Sequence, residues 1–255
     1  MKALKPYLFG LILAAPTQAL AWGWDCSHSK DFKNTVSLSA GQAIQVHAGA
    51  GSLEIKGRDI DEVRISAEMC SADEEELEKL TVLDKVEDGE LVIRTFFPKT
   101  NGWKKSGHSR IDLVLEVPKS AMMKVWDSSG EAEVADIADL DMVDSSGALD
   151  VENISGNVKI KDSSGQIDVD EVGGDVTISD SSGAIDVSDV QGQFVVLVDS
   201  SGSIEGKRIG KDMIVKIDSS GSIEADRVGG DFIVEQDGSG GIDYEDVKGE
   251  VRLPK

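Results

Sequence analysis

Regularly spaced carboxylates are the residues of this chain whose types and positions are best suited to chemistry. The motif Asp-Ser-Ser-Gly occurs six times and returns in altered form at Asp237, and the aspartates are 17, 18, 18, 19, 19 and 19 residues apart. A second acidic residue follows each aspartate by six positions. Stacked carboxylates could bind Ca²⁺, which prefers several oxygen ligands. The two alternative sets of candidate ligands are Asp144, Asp162, Asp180, Asp199 and Asp218, or Asp150, Asp168, Asp186, Glu205 and Glu224.

The same carboxylates also have a purely structural interpretation. An Asp at the first position of a turn accepts a hydrogen bond from the backbone two residues on, and Gly is favoured at the fourth position. The acidic residue six positions later lies between two apolar positions, so we expect its side chain to point outward and keep the protein soluble. Because the Gly-Gly-x-Gly-x-Asp calcium repeat is absent from the sequence, any cation site would be weak. The residues alone leave both interpretations open.

Apolar residues at fixed distances from the motif predict the elements that would position these carboxylates. Counting from the Asp as zero, position five is apolar in all seven repeats, position seven is mostly Val, and position ten is Ile or Val. Apolar residues two apart are typical of a strand with one buried face. A fixed period indicates stacked units that each contact only their neighbours. The sequence therefore predicts an all-β fold, a β-solenoid of 17–19-residue coils with two short strands each, over residues 121–255.

Residues 22–120 are predicted to form an irregular β cap at one end of the solenoid. They contain a capping box, Ser71 followed by Glu74, which predicts one short helix at about residues 71–83. The helix would place three leucines on the sheet: Leu77, Leu80 and Leu83. Residues 98–109 are rich in Lys, Gly and Ser and are predicted to be an exposed loop.

Targeting signals and charge limit where this protein works and what it binds. Residues 1–21 have the pattern of a cleaved signal peptide, which predicts a periplasmic or secreted protein with no membrane segment in the mature chain. In an exported protein, Cys26 and Cys70 are predicted to form a disulfide. The net charge of −22 excludes nucleic acid as a partner. We expect a monomer, with end-to-end association of rods left open.

Three stretches of the chain, in order, resemble a known family. They are Gly-x-Leu-x-Ile-x-Gly-Arg-Asp at 51–59, the acidic helix from Ser71 with the strand ending at Pro118, and the run of Asp-Ser-Ser-Gly-x-Ile-x-Val units. Together they resemble the bacterial putative-adhesin family of β-solenoids, a domain of unknown function that is similar to adhesin heads. The resemblance covers about residues 32–253. It implies the fold and an adhesion-type role, and it carries over no catalytic residues.

Catalytic motifs are missing from the sequence. His28, His47 and His108 are widely separated and lack metal-ligand spacing, and there is no G-x-S-x-G elbow and no phosphate-binding loop. We therefore predict no enzyme and no cofactor, Ca²⁺ excepted. The first hypothesis is an exported structural or adhesion-type module that presents an acidic face to an envelope or extracellular partner. The alternatives are a Ca²⁺-responsive binding module and, less favoured, a carbohydrate-active enzyme.

Overall fold

The computed structural model describes residues 26–39, 41–98 and 109–255. The predicted signal peptide and most of the predicted loop at 98–109 lie outside these residues. The described chain forms strands and one helix, α1 (Glu74–Lys79). The first eleven strands are β1 (His28–Ser37), β2 (Ile44–His47), β3 (Leu53–Arg58), β4 (Glu62–Ser71), β5 (Thr81–Glu87), β6 (Glu90–Phe96), β7 (Arg110–Pro118), β8 (Met122–Trp126), β9 (Ala132–Ala135), β10 (Asp139–Val143) and β11 (Leu149–Ile154). The others are β12 (Val158–Lys161), β13 (Ile167–Val172), β14 (Val176–Ser179), β15 (Ile185–Val190), β16 (Phe194–Val198), β17 (Ile204–Ile209), β18 (Met213–Asp218), β19 (Ile223–Val228), β20 (Phe232–Asp237), β21 (Ile242–Val247) and β22 (Val251–Arg252).

The strands form two sheets of eleven strands each, and successive coils contribute one strand to each sheet. Sheet A has the order β1-β4-β7-β3-β9-β11-β13-β15-β17-β19-β21. Sheet B has the order β22-β20-β18-β16-β14-β12-β10-β8-β2-β6-β5. Pairing is parallel from β7 to β21 and from β6 to β22, and it is antiparallel where β1, β4 and β5 join. The fold is the predicted all-β solenoid with one short helix in its N-terminal region.

The inward faces of the two sheets form one continuous hydrophobic core. In the coil that begins at Asp162, Ile167 and Val169 on β13 and Ile178 on β14 are fully buried. Side chains in register stack on their counterparts above and below, as the period of two predicts. Because successive coils repeat this arrangement, one core cluster extends from Ile44 to Val234.

The buried apolar positions are five, seven and ten, and not five, seven and nine, because one residue in each repeat has a left-handed backbone conformation. Position nine has a positive φ in every repeat, for example 57° at Glu171 and 55° at Arg208. This single left-handed residue reverses the alternation of side chains. Val172 therefore turns inward again, with 1% of its surface exposed. The strand bends at this point into the corner that leads to the opposite sheet.

The N-terminal cap differs from the prediction in the length of its helix. Helix α1 covers Glu74–Lys79 rather than about 71–83, and Asp73 is its N-cap, accepting a hydrogen bond from the Glu76 N–H at 3.0 Å. The chain becomes extended at Leu80 because residues 81–87 pair with β6 as the edge strand β5. Leu77 and Leu80 are buried as predicted, but Leu83 is 49% exposed on that edge strand.

The predicted disulfide is present and fastens the cap. It joins Cys26, just before β1, to Cys70 on β4, with the two Cα atoms 5.4 Å apart. Strand β1 pairs with β4 along its whole length, and α1 packs against both strands. In the described residues, no helix is long and apolar enough to cross a membrane.

Candidate functional site

The acidic residues at position six form a column on the outward face of sheet A. We call it the outer acidic column: Glu133, Asp150, Asp168, Asp186, Glu205, Glu224 and Asp243. Each of these residues is the register partner of the next across the parallel pairs from β9 to β21. Glu54 on β3 extends the column by one coil towards the cap. Neighbouring strands lie about 4.8 Å apart, so these carboxylates form a line of like charges.

The ion pairs of the outer acidic column lie on either side of its middle. Lys56 bridges Glu54 at 3.1 Å and Glu133 at 2.9 Å, and Lys207 pairs with Glu205. Among the described residues, no Lys or Arg forms an ion pair with the carboxylates between them: Asp150, Asp168 and Asp186. Partial burial and the neighbouring carboxylates raise the pKa of all three.

The motif aspartates form a second column, and it lies inside the protein. We call it the inner Asp column: Asp127, Asp144, Asp162, Asp180, Asp199, Asp218 and Asp237. The first six are buried, with exposures of 0–4%. The column has the predicted turn-capping role, since Asp144 accepts from the Ser145 N–H at 2.7 Å and Asp199 from the Ser201 N–H at 3.3 Å.

Burial leaves the inner Asp column incompletely hydrogen-bonded. Every member has at least one buried carboxylate oxygen without a hydrogen-bond partner. Burial disfavours the charged form and raises the pKa of Asp127 to about 6. Burial, together with the charges of Asp218 and Asp180, raises the pKa of Asp199 to about 6 as well. Burial thus keeps the first six aspartates of this column away from solvent and favours the protonated form of Asp127 and Asp199.

Serine and glycine of the motif explain why the aspartates turn inward. In the five motifs from Asp144 to Asp218, the second Ser donates to a carbonyl of the coil before it, as Ser182 Oγ does to the Ser163 carbonyl at 3.3 Å. The following Gly packs directly on its counterpart. A Cβ on Gly165 would lie 1.6 Å from the Gly147 carbonyl oxygen, and the φ of Gly165 is +146°. Close stacking of the turn backbone thus leaves the interior side of the corner as the position for the Asp side chain.

Neither column brings its carboxylates together as a ready-made metal centre. Each predicted ligand set is aligned in one column, but within residues 26–39, 41–98 and 109–255 no three His, Cys, Asp or Glu side chains are grouped to hold an ion. Ca²⁺ needs six to eight oxygens at 2.3–2.6 Å, whereas a column offers one carboxylate per strand spacing of about 4.8 Å. Cation binding therefore stays a prediction.

Two further features were not predicted from the sequence. His47 stacks on Trp126 with ring centroids 4.6 Å apart and an interplanar angle of 7°, because the two residues are register partners on β2 and β8. A groove of about 710 Å³ follows the corner formed by the left-handed residues, including Asn153, Asp189 and Arg208. The three-residue gap between apolar positions seven and ten is the sequence signal that could have revealed this corner.

Comparisons with solved structures identify proteins of similar architecture. A putative adhesin from Bacteroides fragilis is 12% identical and matches with a TM-score of 0.53, covering 88% of this chain and 96% of its own. Two more distant matches add no weight to this comparison. One is a putative adhesin from Parabacteroides merdae, with 14% identity, coverage of 88% of this chain and 95% of its own, and a TM-score of 0.42. The other is a putative lipid binding protein from Parabacteroides distasonis, with 14% identity, coverage of 87% of this chain and 96% of its own, and a TM-score of 0.39. No protein-family model and no curated protein matches the sequence. The chain thus shares its fold with a putative adhesin, and the resemblance drawn from its motifs is confirmed at the level of the fold.

Proposed function

We propose that this protein is a non-enzymatic, exported, adhesion-type module that presents the outer acidic column to a basic partner in the envelope or outside the cell. The single observation that carries the proposal is the unbroken register of carboxylates along sheet A. The name of the Bacteroides fragilis protein, a putative adhesin, agrees with this role.

The energetics of the column favour a cationic partner. Two carboxylates about 4.8 Å apart repel by roughly 1 kcal/mol at the dielectric constant of water. A row of Lys or Arg side chains relieves several such repulsions at once, so binding would strengthen with the number of charges engaged and weaken with salt. The carboxylates from Asp150 to Asp186 are the best placed, because they lack ion-pair partners among the described residues.

The uniform surroundings of these carboxylates support a binding role over catalysis. General acid–base work needs two carboxyl groups whose environments push their pKa values apart. Burial is the largest cause of the raised pKa of Asp150, Asp168 and Asp186, and neighbouring carboxylates raise the pKa of each further. None of these three carboxyl groups has its pKa shifted in the opposite direction from the other two.

The test uses the mature chain and a ten-residue oligolysine peptide, with binding measured by calorimetry at two salt concentrations. The variant combines Asp150→Asn, Asp168→Asn and Asp186→Asn, and we expect it to bind about tenfold more weakly, since each exposed ion pair contributes roughly 0.5 kcal/mol. The matched control removes three exposed carboxylates elsewhere, by Asp59→Asn, Asp61→Asn and Glu235→Gln. If both variants bound the peptide equally weakly, net charge alone would explain the loss of affinity, and the proposal would be refuted.

A second candidate function, a Ca²⁺-responsive module, is favoured by the unpaired oxygens of the inner Asp column. A ligand that binds only the folded state raises the melting temperature with its concentration. We expect Ca²⁺ to raise the melting temperature above that in matched Mg²⁺ or chelator at fixed ionic strength, and Asp180→Asn with Asp199→Asn to abolish the rise. An unchanged melting temperature would assign the column to turn capping alone.

A further inference from the structure

The end of the stack formed by β21 and β22 exposes the core side of its last coil. Tyr244 on β21 is 51% exposed, whereas Ala225, its partner one coil earlier, is fully buried. Leu253, which follows β22, is 41% exposed, and Ile242 is only half-buried. Tyr244 rests on Phe232 with ring centroids 6.0 Å apart, so its other face is free to take a further side chain. We call this surface the open end.

Backbone groups of β21 are directed at the open end in a regular pattern. Along the stack, the N–H of Ile204 donates to the Ser222 carbonyl and the N–H of Ile223 donates to the Gly241 carbonyl, both within 3.0 Å. The equivalent N–H of Ile242 therefore points out of the stack. Strand β21 has one neighbour, β19, in sheet A. An edge strand with free N–H and C=O groups is a template for a further strand.

The opposite end of the stack is closed by contrast. Its edge strands β1 and β5 are linked by an exposed hydrogen bond from Asn34 Nδ2 to Asp84 Oδ2 at 2.9 Å. Lys30 Nζ donates to the Glu78 carbonyl of α1 at 3.1 Å, and the disulfide fixes the start of β1. The two ends of the stack are therefore built differently, although β1 and β5 are edge strands as well.

Charges around the open end determine which kind of strand could pair with β21. Asp243 and Glu245 point outward from β21, and among the described residues neither is paired with a Lys or Arg. A second copy of this chain would place these carboxylates against themselves, which is unfavourable for like charges directly opposite in a sheet. A strand with basic residues at the outward positions would pair with both carboxylates. Its alternate, apolar residues would cover Ile242 and Tyr244.

We propose that the open end binds an extended segment of a partner protein in which apolar and basic residues alternate, and that this segment adds to sheet A as a strand beside β21. Main-chain hydrogen bonds to β21 would supply affinity, and the alternation of side chains would supply specificity. The proposal concerns a different surface from the middle of the outer acidic column, although both surfaces take a basic partner.

The experiment uses a nine-residue peptide of alternating Val and Lys with the full mature chain. We expect the peptide to bind and to slow hydrogen exchange of the Ile242 and Tyr244 amides. We expect a peptide of the same composition with its Val and Lys residues in two blocks, and one N-methylated at alternate residues, to bind about tenfold more weakly. Equal binding of all three peptides would overturn the proposal, because charge alone would then account for it.

Protein variants locate the site. Tyr244→Arg removes the apolar cover and adds a repelling charge, so we expect about tenfold weaker binding of the alternating peptide. Leu83→Arg, which changes an equally exposed residue at the closed end, is the matched control and is expected to leave binding unchanged. The triple Asn variant at 150, 168 and 186 is also expected to retain it, which separates this proposal from the one above. Retained binding in Tyr244→Arg, or a stable dimer of the free protein in sedimentation, would refute strand addition by a basic partner.

Discussion

Asp199 shows how strongly a position in this fold changes the chemistry of a residue. It is 0% exposed and lies between Asp180 and Asp218 in the inner Asp column. The folded protein holds its pKa at about 6, whereas an unfolded chain has an Asp pKa of about 3.9. Between these values the folded state binds more protons than the unfolded state. The contribution of Asp199 to the free energy of unfolding is therefore greatest below about pH 4 and is lost as the pH rises through about 6.

The first prediction follows from that sign. We expect the mature protein to melt at a higher temperature at pH 5 than at pH 7. We expect Asp199→Asn to raise the free energy of unfolding at pH 7 by up to about 2 kcal/mol and to flatten this pH dependence. Asp231→Asn is the control of opposite sign, because the Glu250 N–H and Arg252 lower the pKa of Asp231. Denaturant titrations at the two pH values measure both effects, and a wild-type protein that is most stable at pH 7 would contradict the interpretation.

The second prediction concerns the left-handed corner. Glu171 has a φ of 57°, a conformation that costs a residue with a long side chain about 1 kcal/mol and suits Asn far better. We therefore expect Glu171→Asn to raise the free energy of unfolding by about 0.5–1 kcal/mol. Glu152→Asn makes the same chemical change on β11, where the backbone is extended, and it should be neutral or destabilising. Similar effects of the two substitutions in urea titrations would show that charge removal, and not backbone strain, is responsible.

At the scale of the strand, large side chains on one sheet face small side chains on the other inside a coil. Position seven is Val in the first four repeats and becomes Gly206 in the fifth. A Cβ on Gly206 would lie 2.6 Å from Met213 Sδ and 3.2 Å from Phe194 Cδ1. The larger side chains on sheet B therefore occupy the space that Val fills in other coils.

The third prediction tests this exchange of volume. We expect Gly206→Val, although it restores the commonest residue of the repeat, to lower the free energy of unfolding by about 1–3 kcal/mol through overpacking. Adding Met213→Val should recover a large part of the loss, because it returns the facing position to the size found in β12 and β14. A double-mutant cycle measures the coupling, and simple additivity of the two substitutions would rule out the contact as its cause.

Individual strand and turn residues show which parts of the fold could be predicted from the sequence. The period of two placed Ile167, Val169 and Ile178 in the core because alternation depends on geometry that every strand shares. Alternation along a strand does not say whether a side chain in a turn points inward or outward. Because an Asp is ordinarily exposed, the burial of Asp162 could not be predicted from its neighbours. The length of α1 was overestimated because residues 81–87 pair with β6, and a partner so close in sequence outweighs weak helix propensity.

For the whole molecule, the two ends of the stack differ in structure. The N-terminal end has antiparallel strands, a helix, a disulfide and a hydrogen bond between Asn34 and Asp84. The open end keeps the parallel geometry of the stack and half-exposed apolar residues. In a stacked repeat, stability is a sum of contributions from coils and from the interfaces between neighbours. A terminal coil with a neighbour on one side is therefore less protected than a central coil.

The fourth prediction concerns loss of the disulfide at the closed end. Cys26 and Cys70 are 44 residues apart, and reduction of a crosslink that closes a loop of this length lowers the free energy of unfolding by roughly 2–4 kcal/mol. Because coupling passes only between neighbouring strands, we expect faster hydrogen exchange first in β1, then in β4 and α1, with β13 to β17 unchanged. Cys26→Ser with Cys70→Ala provides a comparison free of reductant. Uniformly faster exchange along the whole rod would instead show that the solenoid unfolds as one cooperative unit, with the disulfide acting on all of it through the unfolded state.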